Sequence, residues 1–322
     1  MKLLKLLPVF LMVFVCVPAF AQNKIIDSLK HRLATAASDK EKAKLYNDIA
    51  IEYEEDPALM IQYAKKALAL ASQKHIMYPQ GTAWVSIGNA NIILSKYTEA
   101  LKSFTNAQIV YEEMLKTADK KDVNDIKDGL GRAYGSIGVV CSEQNNYAKA
   151  LEYYFKALKI YEDIKEEEIV AIASNNIGAV YEAQKEYSKA LEYFTKAQWI
   201  QKKTGDFESL GITVTNIGKI YLFRNEFDKA FKAFSEAEKI LKEHNKQRGL
   251  AELYNNIGDY YIKKDNYTEA EKNYSKALAI FNQTGEKLGA SASLGSLGSL
   301  YALQNNNALA IKNLQLSAAL AT

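Results

Sequence analysis

Three asparagines, each two residues before a glycine, are the side chains whose type and spacing most clearly suggest binding chemistry. Asn176, Asn216 and Asn256 each begin the word Asn-Ile-Gly, and consecutive copies are 40 residues apart. Ser86 and Ser136 take the same place in two earlier variants of this word. An amide carries both hydrogen-bond donors and an acceptor. A regular row of amides can therefore pair with the backbone of an extended peptide regardless of the peptide's sequence.

Residues for catalysis show no comparable pattern. His31, His75 and His244 are isolated and far apart, and the sequence contains no HExxH metal motif, phosphate-binding loop or nucleophile elbow. We therefore predict no catalytic residue, no metal site and no cofactor. Of three classes of function, a binding scaffold, a sensor module and an enzyme, this sequence favours an enzyme least.

The N-terminus has the three parts of a secretory signal peptide. A basic start at Lys2 and Lys5 is followed by an apolar run over residues 6–19 and by Ala19-Phe20-Ala21 ahead of Gln22. This order predicts a signal peptide over residues 1–21, cleaved between Ala21 and Gln22. The alternative is an uncleaved membrane anchor, because nearly 20 residues could span a bilayer. We expect a periplasmic or secreted protein without a membrane span after cleavage.

The rest of the composition indicates a globular, helical protein. The chain is 48% hydrophobic and 25% charged, and only two of its four prolines, Pro57 and Pro79, lie beyond the predicted signal peptide. Loss of Lys2 and Lys5 lowers the basic count from 41 to 39, against 38 acidic residues. This near neutrality argues against nucleic-acid binding.

A repeat organises the elements that carry the polar row. Glycines recur at positions 88, 138, 178, 218, 258 and 298, and every step is 40 residues except the first, which is 50. We place the ten extra residues in a longer loop over residues 116–128. A degenerate copy around Asp48 brings the total to seven. Within each copy, apolar residues at intervals of three and four predict two amphipathic helices.

Helix ends and packing positions follow from the same alignment of copies. Gly205, Asn245 and Gly285 are suited to a left-handed C-cap, and Asp206 to starting the next helix. Residues 22–41 are predicted to hold an N-terminal capping helix, and Ser38 and Glu41 at the end of this segment form a capping box for the next helix. Gly178 and Ala190 are expected to mark a close approach of paired helices. Cys141 takes a tyrosine packing position, which predicts a buried, unreactive thiol.

The order of glycine, tyrosine, alanine, aromatic residue and alanine resembles the tetratricopeptide repeat, with Trp84 at the aromatic position four before Gly88. The 40-residue period is similar to a subtype found in polarity adaptors and bacterial regulators. The segments Ile25-Ile26-Asp27-Ser28-Leu29 and Ala43-Lys44-Leu45-Tyr46-Asn47 resemble the exported sensor region of Bacteroidetes histidine kinases and regulators. The resemblance implies an all-α, right-handed superhelical solenoid of antiparallel helix pairs over residues 42–322, with first helices lining a concave groove.

The resemblance places the residue two positions before each glycine in that groove, together with its neighbours. The predicted peptide-binding set is Asn176, Asn216, Asn256, Asn175, Asn255, Ser136, Ser86, Lys219 and Asp259. Ile92, Ile93, Leu222 and Phe223 would add apolar anchors if they are exposed. The alternative is that the asparagines only hydrogen-bond between adjacent first helices.

The sequence therefore predicts a non-catalytic scaffold that binds an extended peptide or a partner's helix in this groove. The alternative function is a sensor or ligand-binding module of a two-component or transcriptional regulator without its output domain. The chain ends within the seventh second helix, which is rich in leucine and lacks the polar cap that terminal repeats need. We therefore expect self-association or a partner at this end, or a chain that is a shortened relative of a longer regulator.

Overall fold

The computed structural model describes residues 19–320, with side chains from residue 24 onward. The predicted signal peptide thus lies almost wholly outside the described residues. The described part of the chain consists of fifteen α-helices without a strand. They are α1 (Ala19–Thr35), α2 (Asp39–Glu52), α3 (Pro57–Gln73), α4 (Met77–Ile93), α5 (Tyr97–Thr117), α6 (Val123–Glu143), α7 (Tyr147–Ile164), α8 (Glu167–Ala183), α9 (Tyr187–Thr204), α10 (Phe207–Phe223), α11 (Phe227–Glu243), α12 (Gln247–Lys263), α13 (Tyr267–Thr284), α14 (Lys287–Leu303) and α15 (Asn307–Leu320). The predicted all-α class is confirmed.

The helices fall into two compact units, of which the N-terminal unit ends at Val180 and the C-terminal unit begins at Tyr181. In the N-terminal unit α2 pairs with α3, α4 with α5, and α6 with α7. In the C-terminal unit α10 pairs with α11, α12 with α13, and α14 with α15. First helices also touch the next first helix, α4 with α6 and α10 with α12. None of the described helices is long and apolar enough to cross a membrane.

In the pairs α4–α5, α6–α7, α10–α11 and α12–α13, the repeat glycine meets the ring of an aromatic residue on the second helix, whereas Gly298 of α14 meets Leu314 of α15. A Cβ atom added to Gly258 would lie 2.4 Å from Tyr274 Cε1, and one added to Gly218 would lie 2.6 Å from Phe234 Cε1. Glycine is therefore needed here because the ring of the second helix occupies the place of its missing side chain. The sequence predicted a close approach of the paired helices at the glycine and at the small alanine of the second helix. The atoms closest to these glycines belong to the aromatic residue four positions after that alanine. Ala230, four residues before Phe234, is fully buried.

The longer loop predicted over residues 116–128 is placed correctly but its bounds are too wide. Helix α5 continues to Thr117 and α6 begins at Val123, so both helices are 21 residues long and the connection covers residues 118–122. Ile126 and Leu130 are buried and continue the apolar stripe of α6 one turn upstream. Most of the extra residues lengthen the two helices, and the charged residues Asp119, Lys120, Lys121 and Asp122 are exposed in the connection between them.

The predicted helix ends are confirmed. Gly205 and Gly285 adopt φ values of 77° and 75°, and Asn245 adopts 57°. Asp206 accepts a hydrogen bond from Ser209 N at 3.2 Å. Ser38 caps α2 by accepting one from Glu41 N at 3.2 Å.

Cys141 is buried on α6, as predicted. Burial raises the pKa of its thiol. The thiolate needed for nucleophilic chemistry is therefore disfavoured.

Candidate functional site

The predicted polar row lies on successive first helices. Ser86 is on α4, Ser136 on α6, Asn176 on α8, Asn216 on α10 and Asn256 on α12. The boundary between the two compact units divides the row, with the two serines and Asn176 before it and the other two asparagines after it.

In the N-terminal unit the row is buried. Ser86, Ser136 and Asn176 are 3%, 7% and 1% exposed. In the part of the chain that the structure describes, the amide nitrogen of Asn176 has no hydrogen-bond partner. A buried donor without a partner costs about 1–3 kcal/mol. Asn175, the neighbouring predicted residue, is half-buried.

In the C-terminal unit the row reaches solvent. Asn216 and Asn256 are half-buried. Asn256 Nδ2 donates to the carbonyl oxygen of Glu252, one turn earlier, at 2.8 Å. Asn255 Oδ1 accepts from Ser293 Oγ on α14 at 3.0 Å. Bonding between adjacent first helices, the alternative role, is thus seen at Asn255, whereas Asn256 bonds within its own helix.

Lys219 is held in an ion pair. Its ammonium lies 2.7 Å from Glu182 Oε1, and the two side chains are only 13% and 9% exposed. The same ammonium lies 5.9 Å from the ring centroid of Phe223. Because Glu182 neutralises this lysine, Lys219 offers little free positive charge to a ligand.

Asp259 is the most accessible polar residue of the predicted set. It is exposed, and Tyr274 Oη donates a hydrogen bond to its Oδ1 at 2.6 Å. Desolvation by the surrounding helices raises the pKa of its carboxyl, while the hydrogen bond from Tyr274 and the charge of Lys219 oppose that shift. Desolvation and the nearby Asp259 charge raise the pKa of the Tyr274 phenol, which keeps this donor protonated.

Exposed apolar side chains flank the polar row. Ile93 on α4 is 51% exposed and Phe223 on α10 is 41% exposed, whereas Leu222 is buried. Of the four residues predicted as apolar anchors if exposed, Ile93 and Phe223 thus reach solvent well enough to contact a ligand. Ile92 is half-buried. The sequence named both Leu222 and Phe223 as anchors if exposed. It could not show which of these two adjacent apolar residues a neighbouring helix covers.

The chemistry available to these residues is hydrogen bonding, ion pairing and apolar contact. Among residues 19–320, no group of three or more His, Cys, Asp or Glu side chains could hold a metal ion. Asn216 and Asn256 offer amide groups and Asp259 offers a carboxyl group at this surface. Such a set can bind a peptide.

Models of the tetratricopeptide repeat match residues 131–164, 169–243 and 249–322, which together are more than half of the chain. The chain therefore belongs to the tetratricopeptide-repeat family, as its repeats predicted. Proteins of this fold are generally non-catalytic and present extended surfaces for binding.

Solved structures with the same fold cover most of the chain. The apo form of RapI superposes with a TM-score of 0.69 at 16% identity, covering 87% of this chain and 97% of that one. A Rap protein complexed with Competence and Sporulation Factor gives 0.57 at 14% identity, covering 91% and 81%. The apo quorum sensor NprR from B. thuringiensis gives 0.57 at 11% identity, covering 93% of both chains. A sequence comparison with curated proteins gives no match.

Proposed function

We propose that this protein is a non-catalytic scaffold that binds an extended peptide or a partner's helix across its first helices. The observation that carries the proposal is the solvent-facing set Asn216, Asn256 and Asp259 on the neighbouring helices α10 and α12. An amide can bond a peptide backbone regardless of sequence, and Phe223 beside the set supplies an apolar anchor. The similar Rap structure that carries a bound factor supports the same use of the fold.

The test uses peptides selected from a random display library on the immobilised protein. We expect the Asn216→Ala, Asn256→Ala double variant to bind a selected peptide about tenfold more weakly, since each lost hydrogen bond contributes about 0.5–1.5 kcal/mol. Asn282→Ala is the matched control, because Asn282 is exposed on second helix α13. Calorimetric titration measures both affinities, and thermal melting checks folding. Equal affinity of the double variant and the wild type would place the site elsewhere.

A sensor module is the second candidate, favoured by the similarity to the quorum sensor NprR over 93% of the chain. In a sensor, the bound ligand must change the conformational equilibrium that a partner detects. A selected peptide should then alter the small-angle scattering profile. An unchanged profile at saturation would argue against the sensor role and leave the scaffold as the only remaining candidate of the two.

We also propose that residues 1–21 are a signal peptide and that the mature protein is periplasmic or secreted. The order of basic, apolar and small residues supports this proposal. N-terminal sequencing of the exported protein should begin at Gln22.

The steps of 40 residues between the starts of α7, α9, α11, α13 and α15 support assignment to the 40-residue subtype. Kinship with Bacteroidetes sensor regions rests on the N-terminal segments alone.

Self-association through α15 completes the proposal. Leu309, Ile311, Leu314 and Leu316 are 37–55% exposed, and Ala310 is the one buried residue recorded for this helix. Exposed apolar patches of this kind mark interaction surfaces. Light scattering at micromolar concentration should show a dimer that Ile311→Lys dissociates. A monomeric wild type would exclude the dimer.

A further inference from the structure

A cavity of about 200 Å³ lies in the C-terminal unit between α11, α12 and α13. Phe231, Phe234, Tyr254, Tyr261 and Asn273 line it, together with Lys276 and other residues of the three helices. It contains none of the residues proposed above for peptide binding. The cavity is therefore a separate feature of the molecule.

Asn273 stands at a position that holds a tyrosine in some copies of the repeat and Ser103, Ala233 or Asn313 in α5, α11 and α15. It is the seventh residue of α13, and the seventh residues of α7 and α9 are Tyr153 and Tyr193. The ring of Tyr193 stacks on Tyr181, with centroids 5.8 Å apart and an interplanar angle of 27°. In the N-terminal unit, the ring of Tyr153 packs on Tyr134, with centroids 5.8 Å apart.

Helix α12 carries the counterparts of both of those flanking tyrosines. Tyr261 follows Gly258 by three residues, as Tyr181 follows Gly178, and Tyr254 precedes it by four, as Tyr134 precedes Gly138. Both tyrosines line the cavity. Asn273 turns away from them to its own helix, since its Nδ2 donates to the carbonyl oxygen of Glu269 at 2.7 Å. The flanking rings are thus present, and the ring that would lie between them is missing.

A lysine that accompanies the ring elsewhere is also in place. The ammonium of Lys156 lies 4.7 Å from the ring centroid of Tyr153 and 5.6 Å from that of Tyr134. Its counterpart Lys276 lines the cavity, 4.9 Å from the ring centroid of Tyr254. A cation near the face of an aromatic ring attracts it. Lys276 is thus in position to contact a ring placed at Asn273.

The acidic side chains that line the cavity already have partners, so they do not favour a charged ligand. Glu238 lies 2.7 Å from the ammonium of Lys242 and accepts a hydrogen bond from Tyr254 Oη at 2.9 Å. Glu269 pairs with Lys272 at 3.1 Å. With these carboxylates neutralised and Phe231 50% exposed at the surface, an uncharged aromatic group fits the lining best.

We propose that this cavity binds the ring of a phenylalanine or tyrosine side chain from a partner protein, which supplies the ring that α13 lacks. Pockets for small molecules commonly enclose about 300–1,000 Å³. The smaller volume here, about 200 Å³, suits a single side chain. Aromatic pairs are favourable beyond the area they bury.

The test is an NMR titration of the full chain with N-acetyl-L-tyrosinamide, with N-acetyl-L-leucinamide as the non-aromatic control. We expect saturable binding of the tyrosine amide, reduced at least about tenfold in Asn273→Tyr because the new side chain fills the cavity. Asn273→Tyr should also raise the melting temperature. The matched variant Tyr193→Asn should open a second cavity and add a second binding site, and Tyr153→Asn provides the same test in the N-terminal unit if Tyr193→Asn fails to fold.

Three results would overturn the proposal. Full affinity of Asn273→Tyr for the tyrosine amide would place the probe elsewhere. A melting temperature of Asn273→Tyr below that of the wild type would show that a ring does not fit. Equal binding of the leucine and tyrosine amides would show that the cavity does not select an aromatic group.

Discussion

Residues with left-handed backbone conformation end many of the helices. Gly205 and Gly285 follow the second helices α9 and α13, and nine other described residues also have positive φ. The sequence predicted Gly205, Asn245 and Gly285, because glycine and asparagine favour this conformation. It did not predict Lys185, with φ of 63°, because lysine has no such preference and tertiary packing fixes the turn.

Gly285→Ala should destabilise the protein by about 1 kcal/mol, which is the cost of left-handed backbone for a residue with a Cβ atom. No atom lies within 4 Å of the added Cβ, so steric contact contributes nothing. Gly285→Asn should cost less, because asparagine tolerates this conformation. Urea unfolding of the three proteins measures the differences. Equal stability of Gly285→Ala and wild type would contradict the backbone argument.

The polar row shows how far residue types alone define a binding site. The spacing of Asn176, Asn216 and Asn256 correctly predicted successive first helices. It could not predict that Asn176 is 1% exposed while the other two are half-buried, because the packing around each helix decides exposure. The hydrogen bond between Asn255 and Ser293 also needed the structure, since the two residues are distant in sequence.

Four helix pairs, α4–α5, α6–α7, α10–α11 and α12–α13, are packed around a contact between glycine and an aromatic ring. The apolar periodicity predicted the pairs and their short turns well, because it is a local property of the sequence. It was wrong about the ends of α5 and α6, where polar composition suggested a wider loop although Ile126 and Leu130 continue the buried stripe. Which atom meets each glycine also required the structure.

Two glycine substitutions within the C-terminal unit should have opposite effects. Gly258→Ala places a Cβ 2.4 Å from Tyr274 Cε1, so the ring must move, and its hydrogen bond to Asp259 is disturbed. We expect a loss of roughly 1–3 kcal/mol. In Gly295→Ala the nearest atom, Ser317 Oγ, lies at an ordinary 3.5 Å. Alanine is better than glycine within a helix by about 1 kcal/mol, so this control should gain stability.

Urea unfolding of both variants against wild type tests the packing. A Gly258→Ala protein as stable as Gly295→Ala would show that the ring of Tyr274 adapts freely. The pair separates packing from helix propensity, because both glycines lie inside first helices of the same unit.

At the scale of the whole molecule, each repeat is stabilised by its neighbours, so local stability depends on how many neighbours a helix has. Helix α13 buries five residues, including Tyr274 and Phe281, whereas Ala310 is the buried residue recorded for α15. Family membership and helix order were predictable from the sequence, since both depend on local repetition. The division into two units was not, because it depends on contacts between helices.

Backbone amides of residues 311–320 should therefore exchange with deuterium faster than those of α13. Local opening of a helix with few buried side chains costs little free energy. Hydrogen-exchange mass spectrometry at low protein concentration makes the comparison. Equal protection that persists on dilution would mean that α15 is more firmly packed than its exposed leucines indicate.

The turns that precede successive second helices have the same structure, so the segments between these turns are interchangeable. Glu186 precedes Tyr187 of α9 and Glu226 precedes Phe227 of α11, and each glutamate carbonyl accepts a hydrogen bond from an alanine four residues later, both at 3.0 Å. A segment over residues 187–226 consequently starts and stops at equivalent points. Unequal recombination between gene copies of such segments would add or remove a helix pair in frame, joining Glu186 to Phe227. The length of the binding surface can thus evolve in whole modules.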